Sequence, residues 1–122
     1  MELLKQRIRQ DGIVKGNDVL KVDSFLNHQM DIALFEEIGK EFQRRFANCG
    51  VNKILTIEAS GIAPAVMTAQ ALDVPMVILK KSKSSILQEG VIQTEVFSFT
   101  KNASYQLTLK AQFVRPGDRE SK

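Results

Sequence analysis

Tryptophan is absent from the 122 residues, and cysteine, histidine and tyrosine occur once each, as Cys49, His28 and Tyr105. A single thiol allows neither an internal disulfide nor a Cys-based metal framework. With one imidazole beside it, a zinc site or a His-activated nucleophile has almost no material to work with. The compartment this lone thiol implies is cytosolic, so a cytoplasmic protein is expected. No apolar run approaches the ~20 residues of a membrane span. The N-terminal Met1-Glu2-Leu3-Leu4-Lys5-Gln6-Arg7 is too charged for a signal-peptide core. Charge of one sign is not segregated either. Seventeen Lys and Arg against 14 Asp and Glu leave +3, and Glu2, Glu36, Glu37 and Glu41 interrupt the positive charge. A clustered basic face, the footprint of nucleic-acid binding, is missing. A basic pocket for a phosphorylated substrate fits the same balance.

Apolar residues make up 43% of the chain and charged residues 25%, which sets aside disordered and fibrous classes. The length predicts one domain over residues 1–122 with a small core. No internal repeat or low-complexity segment is visible.

The most informative stretch runs from Lys53 to Met67. An apolar β-type run, Ile54-Leu55-Thr56-Ile57, empties into three small residues, Ala59-Ser60-Gly61, and a helix with Pro64 near its start follows. A loop without bulky side chains lets a ligand touch backbone N–H groups. The helix N-terminus behind it carries partial positive charge, a combination that suits phosphate or pyrophosphate. On pattern alone such a joint is more often only a tight turn.

Around this stretch, Leu4 and Ile8 at i, i+4 predict a short amphipathic helix over 2–11, stopped by Gly12. Residues 13–30 are mixed, with an extended piece at Val19-Leu20-Lys21-Val22. Asp31 is the N-cap candidate for the longest helix, roughly 32–48, burying Leu34, Phe35, Ile38, Phe42 and Phe46. A strand over 52–58 and a helix over about 63–72 lead to a second apolar run, Val74 to Leu79, which ends abruptly in Lys80-Lys81-Ser82-Lys83. The two strands and their helix predict a parallel βαβ unit whose strand ends share one sheet edge, where ligands bind in open α/β folds. Lys80, Lys81 and Lys83 then lie near that edge; as a pattern they are also an ordinary solvated charge run. Tyr105, Leu107, Leu109, Ala111 and Phe113 alternate with polar residues. They predict a half-buried antiparallel strand pairing with residues 91–99 across a turn at Asn102-Ala103. Residues 115–122 carry a turn signal and then only polar side chains.

Three stretches, Val19 to Gln29, Thr56 to Val66, and Phe97-Ser98-Phe99-Thr100-Lys101, resemble the bacterial xanthine phosphoribosyltransferases, a purine-salvage branch of the type I phosphoribosyltransferases. The resemblance covers residues 1 to about 119 in order. It implies an α/β fold with a parallel βαβ core, an antiparallel flap hairpin and an N-terminal helical hood. It also departs from the family in one respect. After a position like Arg119 the family continues into an apolar strand, two adjacent acids and a small-residue loop that grips the ribose 5-phosphate of phosphoribosyl pyrophosphate. Here the sequence reads Glu120-Ser121-Lys122. The expectation is an N-terminal part of the enzyme, incomplete at the C-terminus and inactive alone, with an exposed edge on the first core strand.

The resemblance implies transfer of phosphoribosyl from phosphoribosyl pyrophosphate to xanthine, giving xanthosine 5'-monophosphate. No covalent nucleophile is needed, so positioning and stabilisation of the leaving pyrophosphate carry the chemistry. Mg2+ is expected on substrate oxygens and water, not in a protein cage. Ala59, Ser60 and Gly61 are implied as the pyrophosphate loop, with a non-proline cis peptide at or next to Ala59–Ser60. Lys80 and, above all, Lys81 are implied as pyrophosphate contacts. Leu20 and Asn27 match positions that line the purine pocket, Leu20 by apolar contact and Asn27 through its amide. Read without the family, Leu20 is equally a core residue and Asn27 a turn or cap residue. A further base-contacting Lys falls beyond residue 122. Glu58 beside an anion loop is unfavourable unless it points away, pairs with a Lys or sits near magnesium. His28 is expected to pack in the hood, and Cys49 near the end of the long helix. The family commonly forms homodimers. The alternative is a purine- or nucleotide-sensing module without catalysis, although no helix-turn-helix segment precedes residue 19.

Overall fold

In the computed structural model, which describes residues 1–16, 19–82, 90–98 and 103–121, Asp31 caps the longest helix. Its carboxylate accepts the Leu34 N–H at 3.2 Å. The helix, α2 (Ile32–Phe46), buries Leu34, Phe35, Ile38 and Gly39, the i, i+3, i+4 face of an amphipathic helix. Phe42 and Phe46 are only half-buried and stack on each other at 6.3 Å between ring centroids. Helical geometry stops at Phe46, two residues short of the expected end, and Cys49 lies exposed in the turn that follows.

The expected first helix is present as α1 (Glu2–Asp11). Arg7 ties it to α2: the guanidinium bonds Asp11 at 2.9 Å, pairs with Asp31, and lies 5.0 Å above the Phe25 ring. Phe25 is fully buried and forms a cluster with Leu34, Phe35 and Ile38. Residues 13–30 hold more structure than their mixed composition suggests. β1 (Ile13–Lys15) pairs antiparallel with β2 (Val19–Lys21), and Asp23–Asn27 make one wide turn of π-type helix. His28, expected inside this hood, is exposed instead, because the π turn has closed by that point and turns its end outward. The hood is therefore a helix, a small hairpin and a wide turn.

The predicted βαβ unit is present. β3 (Lys53–Ile57) and β4 (Met76–Ser82) pair in parallel from Ile54↔Met76 to Ile57↔Leu79. α3 (Ile62–Leu72) connects them. Ala63 and Met67 of α3 pack against the Phe25 cluster, so the hood, α2 and α3 share one core. At Gly39 α2 and α3 come close: a Cβ there would stand 2.5 Å from the Met67 carbonyl oxygen. Pro64 falls in the first turn of α3, where its missing N–H costs nothing.

β5 (Val91–Ser98) and β6 (Ala103–Lys110) form the expected antiparallel hairpin, in register from Val91↔Lys110 to Ser98↔Ala103. Asn102, Lys83 and the last three residues of Phe97 to Lys101 lie outside the described residues. β6 also pairs antiparallel with β4 over Lys80–Ser82, giving a five-stranded sheet of order β5-β6-β4-β3 and then the strand described next. The alternation expected to reach Phe113 ends at Lys110. Ala111–Phe113 form a 3-10 turn, and Phe113 is left 49% exposed.

The polar stretch near residue 120 is not a loose tail. Glu120–Ser121 form β7, parallel to β3 at Lys53↔Glu120 and Ile54↔Ser121. The outer edge of β3, expected to lie bare, is covered at its start. A clamp sets this register. Lys53 Nζ pairs with Asp118 at 2.7 Å, with the two side chains only 12% and 11% exposed. The Arg115 N–H donates to the same carboxylate at 2.8 Å. Asn52 Oδ1 accepts the Arg119 N–H, and the Arg119 carbonyl accepts the N–H groups of Asn52 and Lys53. Composition hid this strand because backbone pairing and one charge pair form it, not apolar burial.

Candidate functional site: the loop between the first core strand and its helix

Residues 58–61 turn from β3 into α3. Gly61 has φ −78° and needs no special backbone freedom. Its lack of a side chain matters for another reason, since a Cβ would lie 2.8 Å from Thr56 Oγ1. The loop folds back on its own strand, and only glycine fits unshifted. The Glu58–Ala59 peptide is cis, one bond before the Ala59–Ser60 position and within the expected span. Among the described residues, the N–H groups of Ala59, Ser60 and Gly61 meet no protein acceptor. Ala59 and Ser60 are exposed. Three free amide donors and the Ser60 hydroxyl at a helix N-terminus have the chemistry that suits an anion.

The end of β4 lies against this loop. Glu58 N–H donates to the Leu79 carbonyl at 3.1 Å, and Glu58 Oε1 accepts the Lys81 N–H at 3.4 Å. Glu58 therefore ties the loop to the lysine strand. Strand alternation separates the two lysines. Lys81 Nζ rests over the Tyr105 ring at 5.0 Å from its centroid. Lys80 instead lines a cleft of about 780 Å3 between β4 and the chain beyond β6, with Met76, Lys110, Phe113 and Arg115. Sequence reading treats the two lysines as one charge run and gives no role to Tyr105. The cross-strand register is the signal that would have found it: Tyr105 lies two positions from Leu107, the direct partner of Lys81.

Leu20 sits in β2, 46% exposed, and Asn27 ends the π turn with an exposed side chain. Single π turns recur at functional sites. No hydrogen bond joins either residue to the loop among the described residues. Asn27 is linked to it through the core, because Phe25 of the same π turn belongs to the cluster on which Ala63 of α3 packs.

Two carboxylates elsewhere in the fold have depressed values through structural contacts. Hydrogen bonds from Lys53 and the Arg115 N–H hold Asp118 below the usual carboxylate range. Arg7 and the Leu34 N–H do the same for Asp31. No group of three or more His, Cys, Asp or Glu is placed to hold a metal among the described residues. Glu58 is the carboxylate of the loop itself. This donor set suits a hydrated ion carried in on substrate oxygens better than one caged by protein.

Two solved structures share this architecture. An adenine phosphoribosyltransferase from Thermoanaerobacter pseudethanolicus superposes with a TM-score of 0.67 at 17% identity, covering 98% of this chain and 66% of that one. One from Rhodothermus marinus gives 0.66 at 21% identity, covering 98% and 65%. The class is the type I phosphoribosyltransferase fold. By sequence, 119 residues are 56% identical to xanthine phosphoribosyltransferase of Clostridium novyi, covering 98% of this chain and 63% of the relative. They are 50% identical to xanthine phosphoribosyltransferase of Streptococcus pneumoniae strain CGSP14, covering 98% and 62%. The chain is thus similar in sequence to xanthine phosphoribosyltransferases and shares its fold with adenine phosphoribosyltransferases. It spans somewhat less than two thirds of their length. No family model matches it.

Proposed function

We propose that the chain serves purine salvage, as the part of a xanthine phosphoribosyltransferase that binds the base and the pyrophosphate. The supporting observation is the loop at residues 59–61, whose free amide donors stand beside the Lys81 strand and are tied to it by Glu58. A diphosphate seated there receives the N–H groups of Ala59, Ser60 and Gly61 and the Ser60 hydroxyl, with the ammonium of Lys81 supplied from the strand that Glu58 ties to the loop. Lys80, on the other face of β4, contributes at longer range or through side-chain reorientation.

Phosphoribosyl transfer breaks the bond between the anomeric carbon and pyrophosphate and forms one to a purine ring nitrogen. The leaving diphosphate takes the bonding pair, so donors already aimed at it stabilise the transition state without reorganising. Magnesium brought in with the diphosphate would neutralise part of the departing charge, and Glu58, the carboxylate of the loop, would be the residue to receive its hydration shell. Leu20 supplies an apolar contact to the flat base and Asn27 an amide to its polar edge. The exposed Ile13, Val14 and Val19 of the hood hairpin favour association as a homodimer. The expected setting is the cytoplasm, and no helix of the described residues is long and apolar enough to cross a membrane.

The test titrates the purified chain with xanthine and with magnesium phosphoribosyl pyrophosphate. Xanthosine 5'-monophosphate formation is assayed beside a chain extended to the relatives' length. Binding by the chain with turnover only in the extended form supports the reading. Purine binding without turnover in either form favours the sensing module, and no binding of either ligand refutes both.

A further inference from the structure

Lys81 is exposed, yet its ammonium has a contact within the sheet. It lies over the half-buried Tyr105 ring, 5.0 Å from the centroid, inside the ~6 Å range of a cation–π contact. The register makes this a built contact. Lys81 stands directly opposite Leu107, which is 6% exposed, and Tyr105 is the next residue along β6 on the same face. Tyr105 is itself held across the hairpin opposite Val96. The Lys81 backbone is fixed independently, since its N–H donates to Glu58 Oε1 at the start of the loop. Both ends of the lysine are thus positioned, one by the loop carboxylate and the other by the ring.

We infer that Tyr105 is a positioning residue for pyrophosphate binding: its ring restricts the Lys81 ammonium, on the strand that Glu58 ties to the 59–61 loop, in advance of the anion. This rests on the reading of that loop as the diphosphate site. A free lysine side chain loses rotamer freedom when an anion orders it. A ring that has already restricted the side chain removes part of that cost from the binding step. The contact uses the ring face and not the hydroxyl, so phenylalanine performs the same task. An aliphatic side chain does not.

The experiment titrates the chain with magnesium pyrophosphate by calorimetry, comparing wild type with Tyr105→Phe, Tyr105→Leu, Tyr105→Met, Lys81→Ala and the Lys81→Ala/Tyr105→Leu pair. The Lys81 side-chain methylene protons are followed by NMR in the same samples. Their ring-current shift is expected in wild type and Tyr105→Phe and is lost in both ring-less variants. Affinity is expected to hold in Tyr105→Phe, to fall about two- to fivefold in Tyr105→Leu and Tyr105→Met, and to fall about tenfold in Lys81→Ala. Tyr105→Leu should add nothing once Lys81 is gone. Two ring-less variants guard against one that folds poorly. Unchanged or tighter binding in the ring-less variants overturns the positioning role while the loop reading survives. So does a loss that persists in the Lys81→Ala background, or a wild type lacking the ring-current shift. Failure of wild type to bind pyrophosphate, or an unchanged affinity in Lys81→Ala, overturns the loop reading and the positioning role together.

Discussion

Gly39→Ala separates local helix preference from tertiary packing in this fold. On propensity alone the change should stabilise, since glycine inside a helix is worse than alanine by about 0.5–1 kcal/mol. The structure reverses the sign. The new Cβ would meet the Met67 carbonyl oxygen at 2.5 Å and its carbonyl carbon at 2.7 Å, both backbone atoms of the facing helix. Restoring an ordinary 3.4 Å contact requires α2 and α3 to part by about 0.9 Å. Overpacking of this kind costs about 1–3 kcal/mol. The net loss should be about 1–2 kcal/mol, or a fall of about 0.5–1 M in the urea midpoint. Met67→Ala keeps the offending carbonyl and so should not rescue the variant. Because α3 carries residues 59–61 at its N-terminus, pyrophosphate affinity should fall along with stability. Equilibrium urea unfolding checks this, and a Gly39→Ala midpoint at or above wild type would refute the close approach of the two helices.

Phe35→Ala empties a fully enclosed ring site, Phe35 being 1% exposed, and should cost about 3–5 kcal/mol in the same unfolding assay. Gly61→Ala should crowd Thr56 Oγ1, which its Cβ would approach to 2.8 Å. Adding Thr56→Ala should recover part of the loss, a non-additivity of about 0.5–1 kcal/mol in a double-mutant cycle. Acid should destabilise the fold through Asp118, Asp31 and Glu41, whose folded values lie below their usual ones. Depressed carboxylates contribute stability above the unfolded value, and that contribution is lost as pH falls through the folded one. Thermal midpoints should therefore drop below about pH 4. Asp118→Asn should lower the midpoint at pH 7 and flatten its acid dependence, and an unchanged acid profile would count against the Lys53–Asp118 pair.

Regular elements were legible wherever a single chain segment carries its own period. The i, i+4 spacing from Leu34 to Phe42, with Asp31 ahead of it, identified α2 and its cap. The paired apolar runs at 54–57 and 74–79 identified the βαβ unit. What stayed hidden depends on partners distant in sequence. Ile13–Lys15 is too short to show alternation and becomes a strand only against Val19–Lys21. Glu120–Ser121 has no apolar signal because its place beside β3 comes from Asp118 and Arg119 bonding to Lys53 and Asn52. The small residues of the 59–61 loop were visible as composition. Their exposed, unpartnered amides were not, and neither was the ring under Lys81, which requires the register between β4 and β6.

The clamp at Lys53 and Asp118 also bears on where the rest of a phosphoribosyltransferase site would be assembled. β7 runs parallel to β3 from Lys53↔Glu120 onward, so chain continuing in that direction is aimed at the edge where β3 opens into residues 58–61. In an open α/β sheet that edge collects ligand contacts from several strands. A slip of one residue in this pairing would turn every following side chain to the opposite face. The nearly enclosed ion pair and the reciprocal Asn52–Arg119 bonds therefore hold the register of β7 before its edge is reached. Weakening them should disturb ligand contacts contributed from beyond Ser121 while leaving the 59–61 loop and Lys81 in place. In an extended chain, Lys53→Ala should accordingly impair ribose-phosphate recognition more than binding of pyrophosphate alone. Equal losses for magnesium pyrophosphate and magnesium phosphoribosyl pyrophosphate would show that the clamp does not act through the register.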